Sequence, residues 1–145
     1  MQDSRHNARI LALQKVFEAH FHSQNLPDIT VDKFSLGILQ SVDEIGSFEK
    51  TLYAELTEKL PENQKKIDSI IAILAPDWPI DKIAGIDLQI LRLAILEGFI
   101  LKITPERVAI DEAIELTKEF SNDQSRKFVS GVLGNLIENK SKYLS

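Results

Sequence analysis

The sequence predicts an all-α protein of about seven helices, arranged as two small helical bundles packed together. Apolar residues recur at helical spacing along most of the chain, with charged residues on the opposite faces. Glycine, proline and short polar turns separate these stretches. The chain has 145 residues, of which 43% are hydrophobic and 27% are charged, as expected for one ordinary globular domain. We therefore expect residues 1–145 to form a single domain.

The first helix is predicted over residues 4–22. Its apolar stripe consists of Ile10, Leu13, Phe17 and Phe21. A turn-rich connector follows, and Thr30 is placed to cap a second helix over residues 31–44, which Gly46 would end. Ser47 could then cap a third helix. Basic residues at the start of the first helix oppose the helix dipole, so helix stability does not explain their position.

Pro61 is expected to interrupt the middle of the chain. It cannot donate a helical hydrogen bond, and it disfavours helical geometry at the preceding residue, Leu60. We therefore predict a break or sharp kink at this point, with a separate fourth helix over residues 62–74. The proline-rich stretch 75–79 is the main internal break, and it contains the only tryptophan, Trp78. Apolar segments flank Trp78, which favours a role as a core anchor over one as an RNA-stacking platform.

Residues 87–101 form the most apolar predicted helix, which should be buried on several sides. Arg92 within it needs a carboxylate or backbone partner. An internal salt bridge to Glu112 or Glu115 is favoured over direct contact with a ligand. Two further helices follow, with Thr104 and Ser125 as their predicted N-caps and a short polar turn between them.

This last region resembles a known family. The stretch from Val108 to Phe120, with the stretch from Ser125 to Leu133, is similar to the C-terminal signature of the NusB family. Those proteins are all-helical RNA-binding factors of bacterial transcription antitermination. The helix from Asp87 to Glu97 resembles the family's central helix, so the resemblance covers nearly the whole chain. It implies binding of boxA-type single-stranded RNA jointly with NusE, a small-subunit ribosomal protein, within the transcription elongation complex, in support of ribosomal RNA transcription.

The resemblance also implies which residues bind. The RNA-binding positions are Arg5, His6, Arg9, Lys127 and Phe128, where a cation and a stacking aromatic could hold an unpaired base. Taken on the residues alone, the basic start of the first helix is typical of a solvated helix end, and Phe128 also begins an apolar row. The chain has Arg5-His6-Asn7-Ala8-Arg9 where the family usually has several consecutive arginines, Ser130 for asparagine, and Gly134 for aspartate.

The partner surface implied by the resemblance involves Phe17, Asp87 and Glu97. An aspartate in the first turn of a helix is also favoured by the helix dipole, so Asp87 has a purely structural alternative.

Composition bounds the remaining possibilities. The formal net charge is −5, so RNA binding must be local, weak or shared with a partner. There is no cysteine, no phosphate-binding loop and no nucleophile motif, and we expect no catalysis, no metal and no cofactor. The absence of a membrane span or signal peptide predicts a cytoplasmic protein. Two alternatives remain open: an interaction module of the same fold without RNA binding, and the N-terminal part of a ribosomal RNA cytosine methyltransferase, if the natural gene continued further.

Overall fold

The computed structural model describes residues 3–23 and 46–144, and every regular element in them is helical. The prediction of an all-α fold is confirmed. The predicted helix over residues 31–44 lies outside the described residues. A single 3₁₀ turn lies at Ile80–Lys82 and a π-helical turn at Leu96–Ile100. The α-helices are α1 (Ser4–Ser23), α2 (Lys50–Leu74), α3 (Gly85–Ile95), α4 (Glu106–Phe120), α5 (Asp123–Glu138) and α6 (Lys140–Tyr143).

The chain divides into two compact units, Met1–Lys59 and Leu60–Ser145. In the first unit, the start of α1 is hydrogen-bonded to the segment that leads into α2. The Asn7 side-chain amide donates to the Ser47 carbonyl at 2.8 Å, and the Glu49 backbone N–H donates to the Ser4 carbonyl at 3.0 Å. The apolar stripe predicted for α1 is largely buried, and Phe17 meets Phe21 edge to face.

Helix α2 runs without interruption through Pro61, so the break predicted there is wrong. An interior proline costs a helix about 3 kcal/mol. Buried apolar residues lie on both sides of it, including Leu56 and Leu60 before the proline and Ile67 and Ile71 after it. Each contributes roughly 1.5 to 3 kcal/mol on burial, and together they outweigh the proline. Pro61 itself is exposed, so its ring is accommodated on the solvent side.

The second unit is built around α3. All residues from Asp87 to Ile95 are buried, which confirms the prediction that this helix is covered on several sides. Helices α4 and α5 pack against each other, and each also contacts α3. No helix in the two described ranges is long and apolar enough to span a membrane.

Arg92 of α3 forms the predicted internal salt bridge, but the predicted partners are wrong. Its Nε lies 2.9 Å from Asp68 Oδ1 and its Nη2 lies 2.8 Å from Asp68 Oδ2, a two-point contact with α2. Glu115 instead pairs with Lys118 on the exposed face of α4. The partner of Arg92 depends on which face of α3 packs against α2. The helical spacing of α4 does not indicate that face, so it could not predict Asp68.

Gly98, in the π-helical turn, lies where no larger residue fits. A Cβ atom at this position would be 2.8 Å from the Cβ of Ala109 on α4. We expect Gly98→Ala to lower the free energy of unfolding by about 1 to 3 kcal/mol, because the two backbones must separate. Urea denaturation followed by circular dichroism would measure this change.

Gly131→Ala and Gly134→Ala are matched controls. Both glycines lie within α5, and a Cβ at either one meets nothing within 4 Å. Alanine is favoured over glycine in a helix by about 1 kcal/mol, so these variants should be at least as stable as the wild type. Equal stability of Gly98→Ala and Gly134→Ala would contradict the close approach at Gly98.

Candidate nucleic-acid interface

The turn between α4 and α5 sets the geometry of the candidate site. Asn122 caps α5: its side-chain oxygen accepts a hydrogen bond from the Ser125 backbone N–H at 2.8 Å. The helix therefore begins at Asp123, and the prediction that Ser125 is the N-cap is wrong. The reason is that the Asn122 side chain accepts the hydrogen bond of one of the first backbone N–H groups, which leaves the Ser125 hydroxyl for another partner.

That partner is Asp87, in the first turn of α3. Its carboxylate accepts hydrogen bonds from the Ser125 hydroxyl at 2.6 Å and from the Ser121 hydroxyl at 3.0 Å. Only 5% of Asp87 is exposed, so burial of its carboxylate carries a desolvation cost. These two hydrogen bonds and the N-terminus of α3 offset that cost. Asp87 thus fixes the α4–α5 turn, and with it the start of α5, against α3.

Two aromatic rings meet beside this turn. The ring centroids of Trp78 and Phe128 are 6.2 Å apart, with an interplanar angle of 70°. Trp78 is 54% exposed, so the prediction that it is a core anchor is wrong. It lies in the turn-rich stretch after Pro76, outside the apolar rows of the helices. Phe128 is half-buried, so it contributes to packing and still presents part of its ring to the surface.

A cleft of about 410 Å³ opens between these rings and the α4–α5 turn. Its wall contains both apolar and polar groups, among them Trp78, Lys82, Asp87, Asn122, Ser125 and Phe128. Lys127, the residue before Phe128, is exposed. Arg126 lies 3.8 Å from Asp123 in a loose surface pair. The structure therefore places an aromatic pair and one exposed cation, Lys82, at the cleft, and a second exposed cation, Lys127, next to Phe128 in the first turns of α5.

The first unit carries the remaining predicted RNA-binding residues. Arg5 and His6 are half-buried at the start of α1, and the Arg5 backbone N–H donates to the Asp3 carboxylate at 3.0 Å. Arg9 is only 4% exposed and already has an interaction within the protein. Because a phosphate contact needs an accessible guanidinium, the burial of Arg9 leaves Arg5 as the more accessible of the two arginines of this helix, with half-buried His6 beside it.

The three predicted partner-binding residues are all interior. Phe17 is buried against Phe21, at a ring-centroid distance of 4.6 Å. Buried Glu97 accepts a hydrogen bond from the Thr104 hydroxyl at 2.6 Å. Asp87 holds the α4–α5 turn, as described above.

The prediction that Thr104 is the N-cap of α4 is wrong. The Thr104 hydroxyl donates to Glu97, and Pro105 occupies the N-cap position without a side-chain cap.

Sequence reasoning missed the cleft itself. Asn122 was readable as an N-cap, because asparagine followed by an aspartate and a helical row is typical of a helix start. Lys82 carries no sequence signal beyond its position four residues after Trp78. Nothing in the spacing brings Trp78 and Phe128 together, because a long stretch of chain that includes α3 and α4 separates them.

The fold and the cleft together define a class: an all-helical protein that presents an exposed aromatic pair beside a polar inter-helix turn. The comparisons with known proteins show which family has this fold. The NusB family profile matches residues 6–138. The transcription antitermination protein NusB of Lactiplantibacillus plantarum is 38% identical over 142 residues, which covers 97% of this chain and 99% of that protein. The chain belongs to the NusB family.

Solved structures share the fold. A structure of NusB from T. maritima has a TM-score of 0.69 at 25% identity, covering 98% of this chain and 99% of that one. A crystal structure of NusB and NusE in complex with double-stranded RNA also has a TM-score of 0.69, at 23% identity, covering 95% of this chain and 98% of that one.

Proposed function

We propose that this protein is a transcription antitermination factor that binds boxA-type single-stranded RNA jointly with NusE in the transcription elongation complex, in support of ribosomal RNA transcription. The observation that carries this proposal is the start of α5, where exposed Lys127 precedes Phe128 at the edge of the aromatic cleft. A cation for the phosphate beside an aromatic for the base is the usual chemistry of single-strand recognition. The matched relatives are named as transcription antitermination proteins, and one related structure holds both NusE and RNA.

The acidic balance of the chain supports a shared binding site. A formal net charge of −5 does not favour attraction of a phosphate backbone by the protein as a whole, so binding must depend on local cations. We propose that residues 1–145 act as one RNA-binding domain, in which Lys127 and Phe128 provide one contact and Arg5 and His6 another. NusE would supply the remaining positive charge.

We propose that the three predicted partner-binding residues support the NusE-binding surface without contacting NusE themselves. Phe17, Asp87 and Glu97 are buried, so they would shape that surface from within rather than touch NusE. We further propose that the protein acts in the cytoplasm, where bacterial transcription takes place, and that it is not an enzyme, since its named relatives are antitermination factors.

Lys127→Ala tests the RNA-binding role directly. We expect weaker binding of a labelled boxA-like strand and a salt dependence of log K reduced by about 0.7, the contribution of one phosphate contact to a single strand. The measurement is a fluorescence-anisotropy titration, with NusE present, at several salt concentrations. Lys66→Ala removes the same charge from an exposed position on α2 and should leave both quantities unchanged.

The same titration distinguishes the alternative of an interaction module without RNA binding, which the burial of Arg9 favours. Tight, salt-sensitive binding of the boxA-like strand that strengthens with NusE supports the proposed function. If NusE binds but the affinity for the boxA-like strand never exceeds that for a scrambled strand, the interaction module replaces it.

A further inference from the structure

We propose that the cleft between Trp78 and Phe128 binds one unpaired base of the RNA, stacked on the indole ring of Trp78. This inference rests on the proposed function and adds to it a residue, Trp78, and a subsite. Phe128 is the aromatic for which the family resemblance implies RNA contact, whereas the stacking surface assigned here belongs to a different segment of the chain.

The exposure of Trp78 is the first observation. Tryptophan buries more apolar area than other side chains and is highly buried on average, yet 54% of this residue is exposed. Phe128 meets it edge to face, at 6.2 Å between centroids and 70° between planes. This contact restrains the indole on one side and does not cover it. The result is a preoriented aromatic surface that is open to solvent.

The size and lining of the cleft are the second observation. Its volume of about 410 Å³ is near the lower end of the range for small-ligand sites, which suits one nucleotide base. The buried Asp87 carboxylate and the Asn122 and Gln124 amides lie along its wall. A carboxylate has about four acceptor positions, and the Ser121 and Ser125 hydroxyls use two of them. Acceptor capacity therefore remains for the N–H groups on the edge of a base.

The local charge indicates which interaction supplies the binding energy. Lys82 lines the cleft, but the exposed Asp77 and Asp81 lie on the same segment and oppose a phosphate. Attraction of the RNA backbone at Trp78 is therefore small, and stacking must provide most of the affinity. Stacking does not release counterions, so this contribution should not depend on salt.

Trp78→Ala and Trp78→Phe test the subsite in the complex with NusE. Stacking on an aromatic contributes about 1 to 3 kcal/mol per base, so Trp78→Ala should weaken binding of the single strand by about five- to 150-fold, equally at low and high salt. Trp78→Phe should retain most of the affinity. Ile73→Ala is the matched control, because Ile73 is a 57% exposed apolar residue of the same unit outside the cleft, and it should change nothing.

Two further readouts report on the base itself. Trp78 is the only tryptophan of the chain, so the difference in emission between the wild-type and Trp78→Phe complexes isolates its signal. That signal should be quenched with the same midpoint as RNA binding. A series of RNAs, each with one abasic nucleotide at a different position, would locate the base. At one of these positions, the abasic nucleotide should weaken binding to the wild type but leave binding to Trp78→Ala unchanged.

The outcomes are separable. If the wild type binds RNA and the Trp78→Ala variant, folded by circular dichroism, binds it equally well, the subsite is wrong and the proposed function stands. If Trp78→Ala weakens binding to NusE and leaves RNA affinity unchanged, the cleft is a protein contact and the inference is overturned. If the wild type binds no RNA in any combination, the proposed function and the subsite fail together.

Discussion

Asp68→Ala is expected to lower the free energy of unfolding by about 3 kcal/mol and the Tm by about 10 °C. The reason is the Arg92 side chain, which is only 6% exposed and whose guanidinium donates two hydrogen bonds to the Asp68 carboxylate. Without that carboxylate, Arg92 retains only a 3.4 Å contact with Gln89, and a largely buried charge loses its compensation. We place the effect at the lower end of the range for buried pairs because Asp68 is 24% exposed. Urea and thermal denaturation would measure it.

Glu115→Ala is the control for this prediction, because it breaks a salt bridge to Lys118 in which both side chains are 53% exposed. Surface pairs contribute less than about 1 kcal/mol, so this variant should remain close to the wild type. Replacing both Asp68 and Arg92 with apolar residues, Asp68→Leu with Arg92→Met, should recover most of the lost stability. A loss for Asp68→Ala no greater than that for Glu115→Ala would show that Arg92 does not depend on this partner.

Asp87→Ala is expected to lower the free energy of unfolding by about 2 to 3 kcal/mol, because the buried Ser125 hydroxyl and the part-buried Ser121 hydroxyl lose their shared acceptor. Ser121 and Ser125 donate to this carboxylate from the α4–α5 turn, and Asp87 also stabilises the N-terminus of α3. Denaturation experiments would give the stability. Hydrogen exchange of the amides at the start of α5 should increase as well, since the turn loses its connection to α3.

Asp123→Ala provides the comparison, since Asp123 also lies in the first turn of a helix but its side chain is 93% exposed. That variant loses a helix-dipole contribution of about 0.3 to 1 kcal/mol and a loose surface pair with Arg126, which adds little. Asp87→Asn keeps one acceptor oxygen and should fall between the two alanine variants. If Asp87→Ala and Asp123→Ala cost the same, the buried hydrogen bonds to Ser121 and Ser125 contribute nothing measurable.

The helices themselves were predictable because their cause is local. The rows of apolar residues in α1, α4 and α5 follow the helical repeat, and burial of these rows is what stabilises a helix in a protein. The same reasoning failed at Pro61. There, the local penalty of a proline is real, but burial of the apolar residues on both sides of it is larger.

Caps and ion pairs were less predictable because each polar side chain has several potential partners. Thr104 and Ser125 are both suitable N-caps by residue type. Instead, the Thr104 hydroxyl donates a hydrogen bond to Glu97, and the Ser125 hydroxyl donates one to Asp87. A buried carboxylate needs donors more than a helix end does, because the helix end can also be solvated. The sequence does not show which carboxylates become buried next to which hydroxyls.

The sequence by itself therefore determined the all-α class, the family, and the α5 residues proposed to contact RNA, because helical periodicity and a contiguous motif depend on residues that are close together in the chain. Only the tertiary structure decided that Arg92 pairs with Asp68, that Asp87 is held by the α4–α5 turn, and that Trp78 is exposed beside Phe128. Each of these contacts joins residues that are distant in sequence. Their geometry depends on how the helices pack, and periodicity along the chain carries no information about that packing.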